Sequence, residues 1–131
     1  MRILVVEDEA IIALCIGMTL EKAGHEVMGP VNSLNGCLDL LQVGVPDLAL
    51  IDINLEFGKN GVDVARELQK KAIMSLFVSA VELESAGDKA AALGCLHKPF
   101  AAQSLIESVE IASGIKRGRQ PNRMPEGLEL F

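Results

Sequence analysis

Short, nearly unbroken apolar runs alternate along this chain with longer stretches in which apolar residues recur every three or four positions. Residues 2–6 read as a buried strand. Residues 10–23 follow as a helix, with Ile11, Leu14 and Met18 at helical spacing and Gly24 as its terminator. Residues 27–31 predict a second strand, and Pro30, which has no N–H to donate, places it at a sheet edge. Ser33 can cap a helix running to about Gln42, with Leu34, Leu38 and Leu41 on one face. After Pro46, residues 47–53 make a third strand whose apolar run suits a central parallel strand covered on both faces. A loop over 55–60 leads into a helix over 61–71, with Val62, Val64, Ala65 and Leu68 inward. The fourth strand spans 74–79, and a polar loop then precedes a helix near 88–93. Residues 94–97 form a short fifth strand, Lys98-Pro99 a turn, and 102–115 the last helix.

Five strands alternating with five helices predict an α/β fold with a doubly wound parallel sheet, because parallel strands need crossover helices between them. In such sheets ligands bind at the carboxyl ends of the strands, where strand order reverses. The first strand ends in Glu7-Asp8, the third in Asp52 and the fourth in Ser79, while the fifth runs into Lys98-Pro99. Three carboxylates, a hydroxyl and a lysine therefore converge on one rim.

Two carboxylates about 4 Å apart repel by roughly 4 kcal/mol at an effective dielectric near 20, or about three pKa units. A hard divalent cation relieves this, and Mg²⁺ favours one or two carboxylates together with water and phosphate oxygens. Beside such an ion Asp52 can act as a nucleophile toward a phosphoryl group. Lys98 supplies a mobile point charge for a phosphoryl oxygen and Ser79 a hydrogen bond. Taken singly, each residue also has a plainer reading. Glu7-Asp8 suits a helix N-terminus, Asp52 a solvated loop, Ser79 a satisfied core hydroxyl and Lys98 a surface turn. The coincidence of all of them at strand ends favours the shared pocket.

Four segments carry a family resemblance. Val5-Val6-Glu7-Asp8-Glu9, Leu50-Ile51-Asp52-Ile53-Asn54-Leu55, Phe77-Val78-Ser79-Ala80 and Lys98-Pro99-Phe100 resemble, in order and spacing, the signature segments of response-regulator receiver domains. The resemblance covers about residues 1–115. It implies a flavodoxin-like sheet of order 2-1-3-4-5 and a stand-alone receiver similar to chemotaxis regulators, working in bacterial two-component signalling. Asp52 would be the phosphoacceptor, Asp8 the principal acidic Mg²⁺ ligand, and Glu7 a helper acting through water. The backbone carbonyl of Asn54 would complete the protein's share of the metal shell. Ser79 would be the switch hydroxyl and Lys98 the phosphate-binding lysine. The donor would be a phosphohistidine on a sensor histidine kinase or a histidine phosphotransfer protein. Output would pass to a further protein, or the chain would serve as a relay or phosphate sink. Such a chain catalyses its own phosphotransfer and dephosphorylation and is not an enzyme acting on a separate substrate.

Two departures from the family pattern stand out. Receivers commonly carry an aromatic three residues before the lysine, and here that position is Cys95. The stretch from Ser79 to Cys95 is also short, which shrinks or loosens the fourth helix.

Composition narrows the alternatives. The 131 residues and 14.0 kDa make room for one core, and half the residues are hydrophobic with few aromatics. No stretch is long and apolar enough for a membrane span or a signal peptide, which predicts a cytoplasmic protein. Cys15, Cys37 and Cys95 form no CxxC, and with His25 and His97 alone a structural zinc site is improbable. Net charge is −6. Residues 116–131 carry four basic side chains against two acids, leaving −8 on the preceding 115, and an acidic body argues against nucleic acid as a partner. A flavin or nucleotide site would need a glycine-rich phosphate loop after the first strand, where Glu7-Asp8-Glu9 stands instead. A metal-dependent phosphohydrolase with an aspartyl nucleophile would carry a general acid where Asn54 lies. A pseudo-receiver that never accepts phosphate would not keep the acceptor chemistry. Residues 116–131 are expected to be a short tail without an output domain. Its Leu128, Leu130 and Phe131 suggest packing on this molecule or on a neighbour, as a docking or self-association element and hence a route to a homodimer.

Overall fold

The computed structural model describes residues 1–55 and 60–131. The chain runs β1 (Arg2–Val6), α1 (Ala10–Lys22), β2 (Glu26–Val31), α2 (Leu34–Leu41), β3 (Leu48–Ile51), α3 (Gly61–Lys70), β4 (Ser75–Ser79), α4 (Ala86–Lys89), β5 (Gly94–His97), α5 (Ala102–Lys116) and β6 (Leu128–Leu130). The strands form one sheet of order β2-β1-β3-β4-β5-β6. Every pairing from β2 to β5 is parallel, and β6 runs antiparallel to β5. The expected order 2-1-3-4-5 therefore holds, and β2 lies at the edge that Pro30 requires. The sheet has six strands rather than five, because part of the expected tail adds to it.

The central strands are buried on both faces, and alternate residues feed two apolar layers. Leu4, Val6, Ala49, Ile51 and Phe77 meet Cys37 of α2 and Val62, Val64, Ala65 and Leu68 of α3. Ile3, Val5, Leu48, Leu50, Leu76 and Val78 meet Ile16 and Leu20 of α1 and Leu105, Val109 and Ala112 of α5. Each of these larger side chains contributes about 1.5–3 kcal/mol by leaving water. Leu50 and Ile51 point to opposite faces, so the acid that follows them is carried past the end of a strand that cannot easily shift register.

The cap expected at Ser33 forms, and Asn60 supplies another that was not expected. Ser33 Oγ accepts from the Gly36 N–H at 3.1 Å at the head of α2, and Asn60 Oδ1 accepts from the Asp63 N–H at 3.0 Å at the head of α3. The loop expected over 55–60 lies outside the described residues at positions 56–59. The fourth helix is a single turn, Ala86–Lys89, and sits earlier than the 88–93 expected. Ser85 caps it, and residues 90–93 turn directly into β5.

The stripe that α1 buries is not the one its spacing suggests. Ile11, Leu14 and Met18 are 79 %, 63 % and 51 % exposed, whereas Ala13, Ile16 and Leu20 are buried. This helix is apolar nearly all round, so its period fits several faces. The choice is made by the sheet and α5, against which Ile16 and Leu20 pack.

Candidate functional site

Parallel pairing brings the carboxyl ends of β1, β3, β4 and β5 to one rim. Glu7 and Asp8 follow the last residue of β1, Asp52 follows β3, Ser79 closes β4, and Lys98 follows β5. The residues singled out in the sequence thus share one rim, with Lys98 beside Glu7 and Asp52. Carboxylate oxygens of Glu7, Asp8 and Asp52 lie within 4.8 Å of one another. Glu7 and Asp52 are only 4 % and 5 % exposed, and Asp8 is half-buried.

Backbone hydrogen bonds hold these acids in place. The Asp52 N–H donates to the Val6 carbonyl at 2.9 Å, tying the end of β3 to that of β1. The Asn54 N–H donates to Asp52 Oδ1 at 3.2 Å, and the Glu9 N–H to Glu7 Oε2 at 3.3 Å. Lys98 Nζ donates to Glu7 Oε1 at 2.6 Å and lies 3.5 Å from Asp52 Oδ2. Ser79 is fully enclosed. Its Oγ accepts from the Val81 N–H at 3.1 Å, and its carbonyl accepts from the Lys98 N–H at 3.0 Å.

Burial, a hydrogen bond with Glu7 and the Glu7 charge push the Asp52 carboxyl up to about 6, against the opposing pull of Lys98 and of the Asn54 N–H. Burial alone would lower the Lys98 ammonium. Its hydrogen bond to Glu7 and the charges of Asp52, Glu7 and Glu9 outweigh this and raise it. Among the described residues, Lys98 bonds Glu7 and lies near Asp52. Hard, closely spaced carboxylate oxygens are the donors that a small divalent cation favours, so the residues present fit Mg²⁺.

Sequence reading missed two features here. Lys98 pairs most closely with Glu7, so Glu7 anchors the lysine as well as belonging to the acidic cluster. Gly61 opens α3 against the strand end that carries Asp52. Its N–H donates to the Ile53 carbonyl at 2.8 Å, and a Cβ there would run into the Asp52 carbonyl oxygen and come within 2.7 Å of the Ile53 Cα. Its helix-start position was visible in the sequence, but a contact with Asp52 was not. Gly61→Ala is expected to displace the Asp52 backbone and cost at least about 2 kcal/mol, since rigid backbone has to move. Urea unfolding measures this, and an unchanged midpoint would contradict the close approach.

Cys95 is buried beside Phe77 in register, and burial pushes its thiol up to about 11. Such a thiol is protonated at neutral pH and poorly reactive, which favours its reading as a small hydrophobe.

Comparison with known proteins places this geometry. The model of the response regulator receiver domain matches residues 3–110. The chain belongs to the response regulator receiver family. Among curated proteins it is 30 % identical over 115 residues to the transcriptional regulatory protein PdtaR of Mycobacterium tuberculosis. The match covers 85 % of this receiver chain and 56 % of PdtaR, so the chain spans little more than half of that relative. Among solved structures it resembles the N-terminal domain of a response regulator/sensory box/GGDEF three-domain protein from Carboxydothermus hydrogenoformans. The TM-score is 0.80 and the identity 29 %, over 90 % of this chain and 98 % of that one. It is also similar to the response regulator TrrA of Thermotoga maritima in complex with Mg(2+)-BeF, with a TM-score of 0.75, 29 % identity and coverage of 85 % and 97 %. No helix among the described residues of the receiver is long and apolar enough to cross a membrane.

Proposed function

We propose that this receiver takes a phosphoryl group from a phosphohistidine onto Asp52, in a reaction that needs Mg²⁺, and signals by changing which protein it binds. The observation that carries this reading is the meeting of Asp52 with Glu7, Asp8 and Lys98 at one rim of the sheet. An Asp52 carboxylate oxygen attacks phosphorus as the donor's N–P bond breaks, and the imidazole nitrogen keeps the bonding pair and takes a proton from solvent. Bound Mg²⁺ supplies charge neutralisation for the acids and the phosphoryl oxygens. Asp8 and Asp52 would hold it by carboxylate oxygens, Asn54 by its backbone carbonyl and Glu7 through water. Lys98 and Ser79 then present a cation and a hydroxyl to the transferred group. With Asp52 held up near 6, the group is largely ionised at neutral pH and ready as a nucleophile.

The donor in this reading is a sensor histidine kinase or a histidine phosphotransfer protein in the cytoplasm. The exposed apolar stripe of Ile11, Leu14 and Met18, which starts beside Asp8, supports a protein partner on that side. A phosphohydrolase is less well supported, because Asn54 cannot serve as a general acid.

Intact-protein mass after incubation with acetyl phosphate tests the proposal. One added phosphoryl group is expected with Mg²⁺, none without it, and none in Asp52→Asn. Undiminished addition in Asp52→Asn would overturn the assignment of the acceptor. Failure of the wild type with both acetyl phosphate and phosphorylated kinases would overturn the function itself.

A further inference from the structure

Beyond α5 the chain folds back along the outer edge of the sheet. β6 pairs with β5, setting Leu130 opposite Gly94, Glu129 opposite Cys95 and Leu128 opposite Leu96. The pairing continues at both ends, where the His97 N–H donates to the Gly127 carbonyl at 2.8 Å and the Phe131 N–H to the Leu93 carbonyl at 2.9 Å. Without β6, β5 would be an open edge with unpaired backbone groups. β5 is shaped for this neighbour. A Cβ at Gly94 would run into the Glu129 carbonyl oxygen and come within 3.0 Å of the Leu130 Cα, so only glycine lets the segment seat.

The segment is held by few anchors. Leu128 is buried and Leu130 half-buried, while Phe131 is 41 % exposed. Pro125 is buried as well, and the ion pairs lie at the surface. Lys89 of α4 lies 3.9 Å from Glu129 Oε1 and 5.6 Å from the centre of the Phe131 ring. His97 Nε2 lies 3.5 Å from Glu129 Oε2, and Arg123 reaches Glu107 of α5 at 4.0 Å. A segment with so little buried surface opens easily.

Its seat is joined to the acceptor pocket through two consecutive residues. The Lys98 N–H bonds inward to Ser79, and the His97 N–H bonds outward to Gly127. A phosphoryl group on Asp52 would draw Lys98 Nζ away from Glu7 and offer Ser79 Oγ a new partner. Both movements act on the backbone at 97–98, and so on the bond to Gly127.

We propose that residues 118–131 are a releasable strap, seated on β5 while Asp52 is unmodified and loosened when Asp52 is phosphorylated. Release uncovers the β5 edge and the apolar surface beneath Leu128 and Leu130. The proposal rests on the phosphoacceptor reading above. Coupling of this kind is reciprocal, so unseating the strap favours phosphorylation.

Amide hydrogen exchange of the full chain, with phosphoryl occupancy followed by intact mass, tests it. Phosphorylation is expected to speed exchange at Leu128 and Leu130 by about tenfold or more. In Gly94→Ala, which blocks the seat, exchange there is fast before phosphorylation, and occupancy by acetyl phosphate rises. Glu129→Lys, which sets a cation beside Lys89 and His97 without touching the core, gives the same change more weakly. Unchanged exchange in a chain shown by mass to be phosphorylated would overturn the strap and leave the acceptor standing. A chain that takes no phosphoryl group from any donor would overturn both. Fast tail exchange in Gly94→Ala and Glu129→Lys without a rise in occupancy would overturn the coupling.

Discussion

Lys98→Met is expected to melt roughly 10 °C below the wild-type receiver in Mg²⁺-free buffer at pH 7.5, a loss of about 3 kcal/mol. The reason lies in what the lysine leaves behind. Glu7 and Asp52 are almost fully enclosed, and Lys98 is the cation 2.6 Å from one and 3.5 Å from the other. Methionine fills a similar volume, so the loss measures charge rather than packing. Two enclosed carboxylates cannot both stay ionised without a counter-charge. Lys98 itself, raised above its ordinary value, stays charged across the neutral range, so its own contribution disappears only in strongly alkaline solution. The deficit of the variant therefore follows Asp52, being greatest above neutrality and shrinking as the pH falls and that carboxyl protonates. Millimolar Mg²⁺ is expected to recover much of the loss by standing in for the missing cation. Melting temperatures measured from pH 5 to 8, with and without Mg²⁺, check this. A variant that melts with the wild type at every pH would mean that Lys98 does not neutralise the pocket.

Asp52→Asn is expected to move stability the other way. The native environment holds the Asp52 carboxyl near 6, above its ordinary value of 3.8, so folding favours the protonated form. That favourable contribution is complete below about pH 4 and is lost as the pH rises through 6. Above it the wild type carries an ionised group that the fold disfavours. Asparagine keeps an oxygen to accept the Asn54 N–H and carries no charge. In Mg²⁺-free buffer at pH 7.5 the variant is expected to gain about 2 kcal/mol, or roughly 6–8 °C, and to gain nothing near pH 4. Mg²⁺ is expected to raise the melting point of the wild type more than that of the variant, whose acidic cluster is one carboxylate short. A variant no more stable than the wild type at pH 7.5 would show that Asp52 is not held in an unfavourable charge state. If Asp52 is the acceptor proposed above, the same substitution that strengthens the fold removes it, a stability cost that a functional carboxylate can impose on its own protein.

Much of this receiver was legible along the chain because its signals are local. An unbroken apolar run such as residues 48–51 has few solutions besides a covered parallel strand, and Ser33 caps its helix through an atom three residues away. The pocket at the strand ends was legible for a related reason. Once strands are parallel, residues that end them must meet, so Glu7, Asp8, Asp52, Ser79 and Lys98 could be grouped without any distance being known.

What the sequence left open was decided by packing between parts far apart in the chain. Ile11, Leu14 and Met18 have the same spacing as the stripe that is buried, and only the surface offered by the sheet and α5 selects Ala13, Ile16 and Leu20. Leu128–Leu130 is too short to declare itself a strand, since its pairing groups lie more than thirty residues away on β5. Gly94 and Gly61 look like ordinary glycines at the start of an element until the Glu129 and Asp52 backbones are seen against them. The pairing of Lys98 with Glu7 belongs to the same class. Sequence determined which charges share the rim, and the three-dimensional arrangement determined which of them touch, because a hydrogen bond depends on tenths of an ångström that no local pattern encodes.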